Sequence, residues 1–427
     1  MVAKVSLNII IVGGGLGGLA AAIALAQGGH RVLILEQATT LTEVGAGIQI
    51  PPNSSRILNK WGLGESMEKV AVLPRAVVLR RYSDGKVLST QPLLPFTQEV
   101  YGAPYWHVHR ADFHRAMVQK ARDLGVEIQL NSCVVKVDFH APCVHLKDGR
   151  VNTADLVIGA DGLKSFCREE MMGRPDPPHL TGDLAYRILI KTSDMSKHEE
   201  LAELVKNPVI NLWMGPYAHA VCYLLQGGGL YNIVLLCPDT LPEFVNIATE
   251  DAQEVRDFFK DWDPRLSKLL NMVHEVSKWR LQNSTEMDTW LHPAGKFVLL
   301  GDACHATLPY LAQGAAMAVE DGAVLGGLLG KLEDRSQLGP LLATYESLRK
   351  KRTTRIVQES THQRDVFHLP SGKEQEDRDR ILLADERKPS FPNKWRDLEM
   401  QNFLFAYDAF AEVEAAWARL KSEGTIL

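Results

Sequence analysis

Apolar residues near the start of the chain follow two different periods. Residues 7–12 are apolar and largely β-branched except at Asn8, which is typical of a strand buried on both faces of a parallel sheet. Residues 19–26 are alanine, leucine and isoleucine with helical spacing, and residues 32–35 form a second apolar run. The three segments together predict a strand, a helix and a second strand in a βαβ unit.

The same two periods continue along the chain. They predict helices over residues 111–124, 250–270, 315–332 and most of the last hundred. They predict strands over residues 126–130, 156–162 and 297–302, with a β-rich region from about 180 to 240. Residues 373–388, of which 11 of 16 are charged, interrupt the last helical region and are interpreted as a solvated or mobile loop. This alternation of strands and helices predicts an α/β fold.

Length and composition narrow the possible classes of protein. The chain has 427 residues, 45% of them hydrophobic and 23% charged, which favours a globular protein of two or three domains over a disordered or disulfide-stapled one. A net charge of −5 gives no basic field, so we expect no nucleic-acid partner. Six cysteines without a Cys-x-x-Cys pair argue against a disulfide framework, and we expect no metal site.

One stretch superficially has the pattern of a membrane anchor. Residues 5–29 carry no charge, with Lys4 before them and Arg31 after them. Seven glycines make this stretch a poor membrane helix, because they interrupt it where a strand would turn into a helix. No other stretch is long and apolar enough to span a bilayer, and we expect a cytoplasmic protein.

Five of those glycines lie between residues 13 and 18. In Gly13-x-Gly15-x-x-Gly18 the first glycine permits a tight turn, the second lets backbone amides approach a pyrophosphate, and the third lets helix and strand pack closely. Glu36, at the end of the second strand, would accept hydrogen bonds from an adenosine ribose. The segment therefore predicts a dinucleotide site, although this motif by itself does not distinguish NAD from FAD.

Two later segments carry a family resemblance. Residues 154–168, which contain Asp161-Gly162, resemble the Asp-Gly fingerprint of flavoprotein aromatic hydroxylases, and residues 301–321 resemble their second FAD fingerprint. Residues 109–113 and 43–53 resemble the flavin-contacting arginine segment and the segment that crosses the flavin. The resemblance is to single-component, group A FAD-dependent aromatic monooxygenases, nearest their fungal salicylate hydroxylase-like branch.

The resemblance implies which residues bind tight, non-covalent FAD. In addition to the glycine turn and Glu36, they are Gly47, Gln49, Arg110, Asp161, Asp302, Pro309, Gly314 and Ala315. Asp302 follows a buried strand, where its carboxylate could accept from ribityl hydroxyls, and Gly314 and Ala315 begin a helix whose positive end can face the flavin. Structural alternatives stay open: Asp302 as a helix cap, Asp161-Gly162 as a β-turn, and Arg110 in a surface ion pair. His305, inside the second fingerprint, is interpreted as structural.

The substrate side is predicted from two residues. Arg187 resembles the arginine that pairs with a substrate phenolate in fungal relatives, and Tyr223 resembles a tyrosine facing the same pocket. A fixed guanidinium lowers the pKa of a phenol and holds the ring as an electron-rich phenolate. A sheet-surface ion pair for Arg187 and a core position for Tyr223 are the structural alternatives.

The order of the segments predicts interleaved domains. We expect a Rossmann-like FAD-binding domain built from residues 1–175 and 286–355, with an excursion near 76–105 into a mixed β-sheet substrate domain at 176–285. A helical C-terminal region follows at 356–427. The resemblance implies a p-hydroxybenzoate hydroxylase-like fold for this arrangement.

The implied reaction begins with reduction of FAD by NADH or NADPH. O2 then forms a flavin C4a-hydroperoxide, which hydroxylates, dearomatises or epoxidises an electron-rich aromatic substrate, in keeping with secondary metabolism. A simple aromatic acid, a phenol and an indole all remain open as substrates, and a monomer and a homodimer as assemblies. The alternatives are an FAD-dependent reductase without oxygen insertion and a non-catalytic dinucleotide-binding protein.

Overall fold

The computed structural model describes residues 2–41, 46–387 and 389–426. The strands of these ranges are, in chain order, β1 (Asn8–Val12), β2 (Arg31–Leu35), β3 (Gly47–Ile50), β4 (Ala76–Arg81), β5 (Val87–Pro92), β6 (Trp106–His109), β7 (Glu127–Gln129), β8 (Val134–Asp138), β9 (Cys143–Leu146), β10 (Val151–Thr153), β11 (Leu156–Gly159), β12 (His179–Lys191), β13 (Ile210–Gly215), β14 (Ala218–Leu225), β15 (Leu230–Pro238), β16 (Ile247–Asp251), β17 (Glu275–Asn283) and β18 (Phe297–Leu299).

Helices lie between these strands and make up the C-terminal part. They are α1 (Leu16–Gln27), α2 (Pro52–Lys60), α3 (Gly64–Glu68), α4 (Phe96–Tyr101), α5 (Arg110–Asp123), α6 (Phe166–Met172), α7 (Thr192–Met195), α8 (Glu199–Lys206), α9 (Gln253–Phe258), α10 (Pro264–Leu270), α11 (Asp302–His305), α12 (Gly314–Leu329), α13 (Leu338–Phe367), α14 (Lys373–Ala384), α15 (Leu398–Phe405) and α16 (Ala409–Ser422). Short 3₁₀ helices cover Gln226–Gly228, Pro309–Leu311 and Arg335–Gln337. No helix of the described ranges combines the length and apolarity needed to cross a bilayer.

A parallel sheet forms the first layer, with the strand order β18-β11-β1-β2-β7. The central strand β1 pairs with β2 on one side and β11 on the other, and its residues Ile9, Ile10 and Ile11 are buried. Parallel strands end at the same edge of a sheet, so the segments that follow β1, β2, β11 and β18 collect there. Ligands of doubly wound sheets bind at this carboxyl edge.

Helices α1 and α12 pack closely because small residues line their contact. A Cβ atom on Gly322 would lie 2.6 Å from the backbone of Ala20, and one on Gly326 would overlap Ala24. Residue numbers rise together in both helices along this contact, so the helices run parallel and their N-termini lie at the same end.

A mixed sheet forms the second unit, with the strand order β16-β17-β12-β15-β14-β13-β4-β5. Its pairs are antiparallel except for β13 with β4, which brings the early strands β4 and β5 into this sheet. One face packs on α7–α10 through residues such as Leu201, Phe259 and Leu266. The other face belongs to a cluster that includes Tyr310, Phe367 and Phe405, so C-terminal helices cover it.

Two sequence predictions are wrong in detail. Residues 373–384 form helix α14 rather than a solvated or mobile loop, because Leu382 packs into the second sheet's apolar cluster and Arg378 and Asp379 are buried as a 2.7 Å ion pair. Lys388, the last residue of that predicted loop, lies outside the described residues. Residues 250–270 are not one helix, since β16 extends to Asp251 and Asp263 starts a new helix by capping it.

Candidate active site

The glycine turn lies between β1 and α1 at the carboxyl edge of the parallel sheet. Gly13 has φ +109°, and a Cβ atom there would overlap the carbonyl oxygen of Ala160. A Cβ on Gly18 would overlap the carbonyl oxygen of Gly13, so this glycine is required for strand and helix to pack. Gly15, by contrast, has no atom within 4 Å of an added Cβ, and its side faces open space. The turn therefore combines two packing glycines with one that leaves room for a ligand.

A cavity of about 300 Å³ opens beside this turn. Gly13, Gly15 and Glu36 line it, together with Asp161 and Gly162. The two carboxylate oxygens of Glu36 accept hydrogen bonds of 2.7 Å from the backbone N–H groups of Gly14 and Ala38. Both bonds fix the carboxylate and leave each oxygen a further lone pair for a ligand hydroxyl.

The Asp161 side chain has a structural role at the start of α6. One of its oxygens accepts from the Ser165 hydroxyl at 2.5 Å and the other accepts from the Cys167 N–H at 2.9 Å, so Asp161 supports the first turn of α6, whose N-cap is Ser165. Gly162, with φ +80°, makes the turn between β11 and this helix. The Asp161 side chain thereby shapes the cavity wall.

Two helix N-termini point to the same side of the parallel sheet. Because α1 and α12 run parallel, the backbone amides near Gly15 and Gly314 lie at one end of the pair, with Gly314 and Ala315 half-buried. Helix N-termini favour negative charge through free N–H groups and the helix dipole. This end of the molecule is suited to a pyrophosphate and to an electron-rich ring.

The remaining predicted cofactor residues lie around the same edge. Asp302 begins α11 directly after Gly301, which has φ +65°, and its side chain is exposed. Arg110 begins α5 and lies near enough to Asp302 for its charge to act on that carboxylate. Pro309 starts the 3₁₀ turn before α12 and is exposed. The three positions surround accessible space rather than the packed core.

A two-stranded ribbon of β3 and β6 joins the two sheets. Gly47 pairs with His109 and Gln49 pairs with His107, so alternate residues of both strands share a face. On that face, Gln49 accepts a 2.7 Å hydrogen bond from the Tyr105 hydroxyl. Residues 43–45 of the predicted flavin-crossing segment lie outside the described residues.

The ribbon packs against Tyr223 of the mixed sheet. The rings of His107 and Tyr223 are 4.4 Å apart between centroids, and a Cβ on Gly47 would lie 2.6 Å from the Tyr223 ring. Burial raises the pKa of Tyr223, while the charge of Arg187 and a hydrogen bond to Gln49 act in the opposite direction. Burial also lowers the pKa of His107 to about 3. Both groups are neutral near pH 7, Tyr223 as a phenol and His107 as an imidazole.

Arg187 lies on the same face of the mixed sheet as Tyr223. It pairs with Val234, whose other neighbour is Val221, and Tyr223 lies two residues further along that strand. The Arg187 guanidinium stacks on the ring of Trp279 at 4.8 Å from the centroid. The structure therefore brings both predicted substrate residues to one face, next to the ribbon that carries Gly47 and Gln49.

A buried network of charged side chains supports α12. Arg349 bonds Glu320 and Asp321 at 2.7 Å each, and all three side chains are fully buried. Asp321 also accepts from His305 at 2.5 Å, which agrees with the structural interpretation of this histidine. Arg352 holds the other side of Glu320 at 2.8 Å. The opposed charges keep the pKa of both carboxyls low despite burial.

Sequence reasoning missed several residues of this region. They are Tyr105, His107, Asn232, Trp279 and Arg349. The alternation of Tyr105, His107 and His109 at every second position was a readable signal for a polar strand face. The contacts of Asn232, Trp279 and Arg349 depend on strand register and helix docking between distant segments.

The fold and the site define a dinucleotide-binding oxidoreductase of the α/β class, with a second sheet placed over the cofactor edge. Residues 6–360 match the family model described as "FAD binding domain". The chain is 42% identical over 421 residues to FAD-dependent monooxygenase OpS4 of Beauveria bassiana, covering 97% of this chain and 98% of that protein. It is 32% identical over 394 residues to 3-hydroxybenzoate 6-hydroxylase of Polaromonas naphthalenivorans, covering 92% and 94%.

The chain belongs to the FAD-dependent aromatic monooxygenase family. Its fold matches a solved salicylate hydroxylase substrate complex with a TM-score of 0.80 at 24% identity, covering 97% of this chain and 98% of the other. The predictions of the family and of an α/β fold with several sheets and a helical C-terminal region are confirmed.

The residues present fit FAD. Gly15 leaves open space where a pyrophosphate would approach, Glu36 offers fixed acceptors for a ribose, and the cavity between them has the polar and apolar walls that an adenosine half requires. The N-terminus of α12 and the ribbon residues Gly47 and Gln49 lie toward the mixed sheet, where the flavin ring would meet a substrate.

Proposed function

We propose that this protein is a single-component monooxygenase that uses NAD(P)H and O2 to hydroxylate an electron-rich aromatic substrate. In the balanced reaction one oxygen atom enters the ring, the other leaves as water, and the nicotinamide supplies two electrons. The contact between Gly47 and Tyr223 carries the proposal, because it joins the predicted flavin strand to the predicted substrate sheet.

FAD, when bound, supplies the redox chemistry: it takes electrons from the nicotinamide and activates O2. The protein would bind its pyrophosphate with the amides of the glycine turn and its ribose with Glu36, while Arg110 and Asp302 would contact the central part of the cofactor. Gly314 and Ala315 would place the positive end of α12 at the pyrimidine edge of the flavin.

The mixed sheet would bind and activate the substrate. The charge of Arg187 would lower the pKa of a substrate phenol, and the phenolate ring is a better nucleophile for oxygen transfer. Tyr223, kept protonated by burial, would donate rather than remove a proton. The C-terminal helices that cover this face would exclude water from the reacting atoms.

Oxygen uptake tests the proposal. Purified protein should be yellow from bound FAD and should oxidise NADH or NADPH faster when a phenol, a salicylate or an indole from a small panel is added. The product should carry one added oxygen. Colourless protein, or yellow protein that consumes no O2 with any of these compounds, would overturn the proposal.

The role of Arg187 is tested separately. Arg187→Ala should keep its FAD and lose product formation, because the phenol would no longer be held as its anion. Turnover equal to that of the parent on a phenolic substrate would refute the role. A cytoplasmic location, a monomer or homodimer, and the domain boundaries near 175, 285 and 355 stay predictions.

A further inference from the structure

The face of the mixed sheet that packs against the ribbon has an unusual pattern of exposure. Nearly all of its central positions are buried, including Ala185, Leu212 and Tyr223, which are 2%, 1% and 3% exposed. Val221, Val234 and Arg187 are half-buried instead. These three side chains are therefore less completely covered than their neighbours on the same face.

Strand register places these three residues in one row. Val221 of β14 pairs with Val234 of β15, and Val234 pairs in turn with Arg187 of β12. Directly paired residues on adjacent strands have Cβ atoms about 5 Å apart, so the row is roughly as long as a small aromatic ring system. One end of the row is aliphatic and the other end is cationic.

Trp279 of β17 closes the cationic end. It pairs with Ala185, whereas Arg187 pairs with Ser277, so Trp279 and Arg187 are diagonal neighbours on the same face. The small side chain of Ala185 leaves room for the indole, and the Arg187 guanidinium stacks on it at 4.8 Å from the centroid. Long and aromatic side chains reach each other across such a diagonal.

Stacking of this kind restricts a long side chain. The attraction between a guanidinium and the face of an aromatic ring favours the side-chain conformations that keep the two in contact, and the planar guanidinium presents N–H donors that match an oxyanion. Contact with the ring also restricts the rotamers of the arginine before a ligand arrives, so less conformational entropy is lost on binding. Trp279 thus holds the Arg187 side chain in one orientation.

We propose that Trp279 is a positioning residue for Arg187, which it holds in place for the anionic edge of a ligand. The inference rests on the proposed function, since it adds a residue to the same site. A phenolate or a carboxylate would meet the guanidinium.

Ligand titration of the holoenzyme tests the role of Trp279. The probes are benzoate and benzamide, which have the same size but differ in charge, and the change in flavin absorption reports binding. The parent should prefer benzoate. In Trp279→Leu this preference should fall about fivefold, while benzamide affinity and FAD content stay unchanged. Trp279→Phe should restore most of the preference because it keeps an aromatic face.

Several results would overturn the inference. One is equal affinity of the parent for both probes, or no binding of benzoate. Another is an unchanged preference in Trp279→Leu, and a third is a crystal structure of that variant with the guanidinium unmoved. Trp417→Leu is the matched control, since it removes a tryptophan stacked near Lys421 on the last helix and should change neither binding constant.

The proposed function and the role of Trp279 are tested by different measurements, so either can fail without the other. A parent protein that binds FAD but consumes no O2 would refute the monooxygenase, while the titration and the crystal structure would still decide the role of Trp279. In an active enzyme, Trp279→Leu should also raise KM for a phenolic substrate more than it lowers kcat.

Discussion

Gly47 lies directly against the phenol ring of Tyr223, so that a single added carbon on the glycine would be 2.6 Å from both Cε2 and the hydroxyl oxygen. The backbone N–H of Gly47 also donates a 3.0 Å hydrogen bond to the Asn232 side chain. Strand β3 is thereby fixed to the mixed sheet at two points. Its distance from that sheet depends on the absence of a side chain at position 47.

Substitution of Gly47 should therefore disturb the cofactor edge without unfolding the protein. In Gly47→Ala the methyl group would displace either β3 or Tyr223, and we expect FAD affinity to fall by about tenfold, equivalent to about 1.4 kcal/mol. Fluorescence titration of apoprotein with FAD measures this. Gly339→Ala, where an added Cβ meets nothing within 4 Å, is the control.

A second substitution tests whether contact with Tyr223 causes the loss of FAD affinity in Gly47→Ala. Gly47→Ala combined with Tyr223→Ala should recover most of the FAD affinity, because the ring that the methyl group meets is gone. An affinity as low as in Gly47→Ala would show that contact with Tyr223 is not the reason.

Two glycines of the turn should respond differently to the same substitution. Gly18→Ala would place a methyl group on the Gly13 carbonyl oxygen and should destabilise the fold, whereas Gly15→Ala projects into open space and should fold normally. Only its FAD binding should be lost, because the methyl group occupies the approach of the pyrophosphate. Thermal unfolding and flavin content of the two variants test these expectations. A Gly15→Ala protein that is saturated with FAD would contradict a role of Gly15 in binding the pyrophosphate.

The buried charge network predicts a large loss of stability. Arg349→Met leaves Glu320 and Asp321 without their shared cation, and breaking a buried pair costs about 3–5 kcal/mol. The free energy of unfolding in urea measures the loss. Arg355→Met on the same helix breaks an exposed pair with Glu399 and should cost less than about 1 kcal/mol. Equal losses in both variants would argue against the network.

A histidine pair predicts loss of stability in acid. His219 Nδ1 and His368 Nε2 are 2.7 Å apart, and burial lowers the pKa of both, to about 4 for His368. The charge of Arg364 lowers the His368 pKa further and Asp365 opposes it. In the unfolded chain each histidine takes up its proton near its ordinary pKa of 6.5, whereas in the folded protein it stays neutral to lower pH. The free energy of unfolding is therefore unaffected by this pair above pH 6.5 and falls as the pH is lowered from 6.5 toward 4.

Melting temperatures at several pH values measure this contribution. His368→Gln should be less sensitive than the parent between about pH 6.5 and 4, by a free energy of order 1–3 kcal/mol, since glutamine does not titrate. His362→Gln, an exposed position on α13, the helix that ends just before His368, should keep the parent's pH dependence. Identical pH profiles for His368→Gln and the parent would rule out the pair as a cause.

Local features of the sequence were predicted correctly where backbone chemistry alone decides them. The βαβ unit is present: β1, α1 and β2 lie where the apolar periods predicted, and Glu36 follows β2. Gly13 has φ +109°, a backbone conformation that residues with a side chain rarely adopt, so the turn requires glycine at this position.

Charge patterning misled at α14. The composition of residues 373–388 is typical of a solvated segment, but burial depends on which side chains meet a neighbouring surface. In the folded protein Leu382 and the Arg378–Asp379 pair are buried against neighbouring residues, and this packing stabilises the helix. Similarly, the hydrogen bond that Asp161 accepts from the Cys167 N–H was not predicted, because it depends on how the chain turns from β11 into α6.

The sequence by itself determined the dinucleotide turn, the family and the residue types available for chemistry, since these depend on short-range spacing. Only the tertiary structure decided that Tyr223 packs on Gly47, that Trp279 stacks on Arg187, and that Val221 and Val234 continue the row from Arg187. These contacts depend on strand register and on docking of segments far apart in the chain, because side-chain neighbours across a sheet are set by pairing rather than by sequence distance.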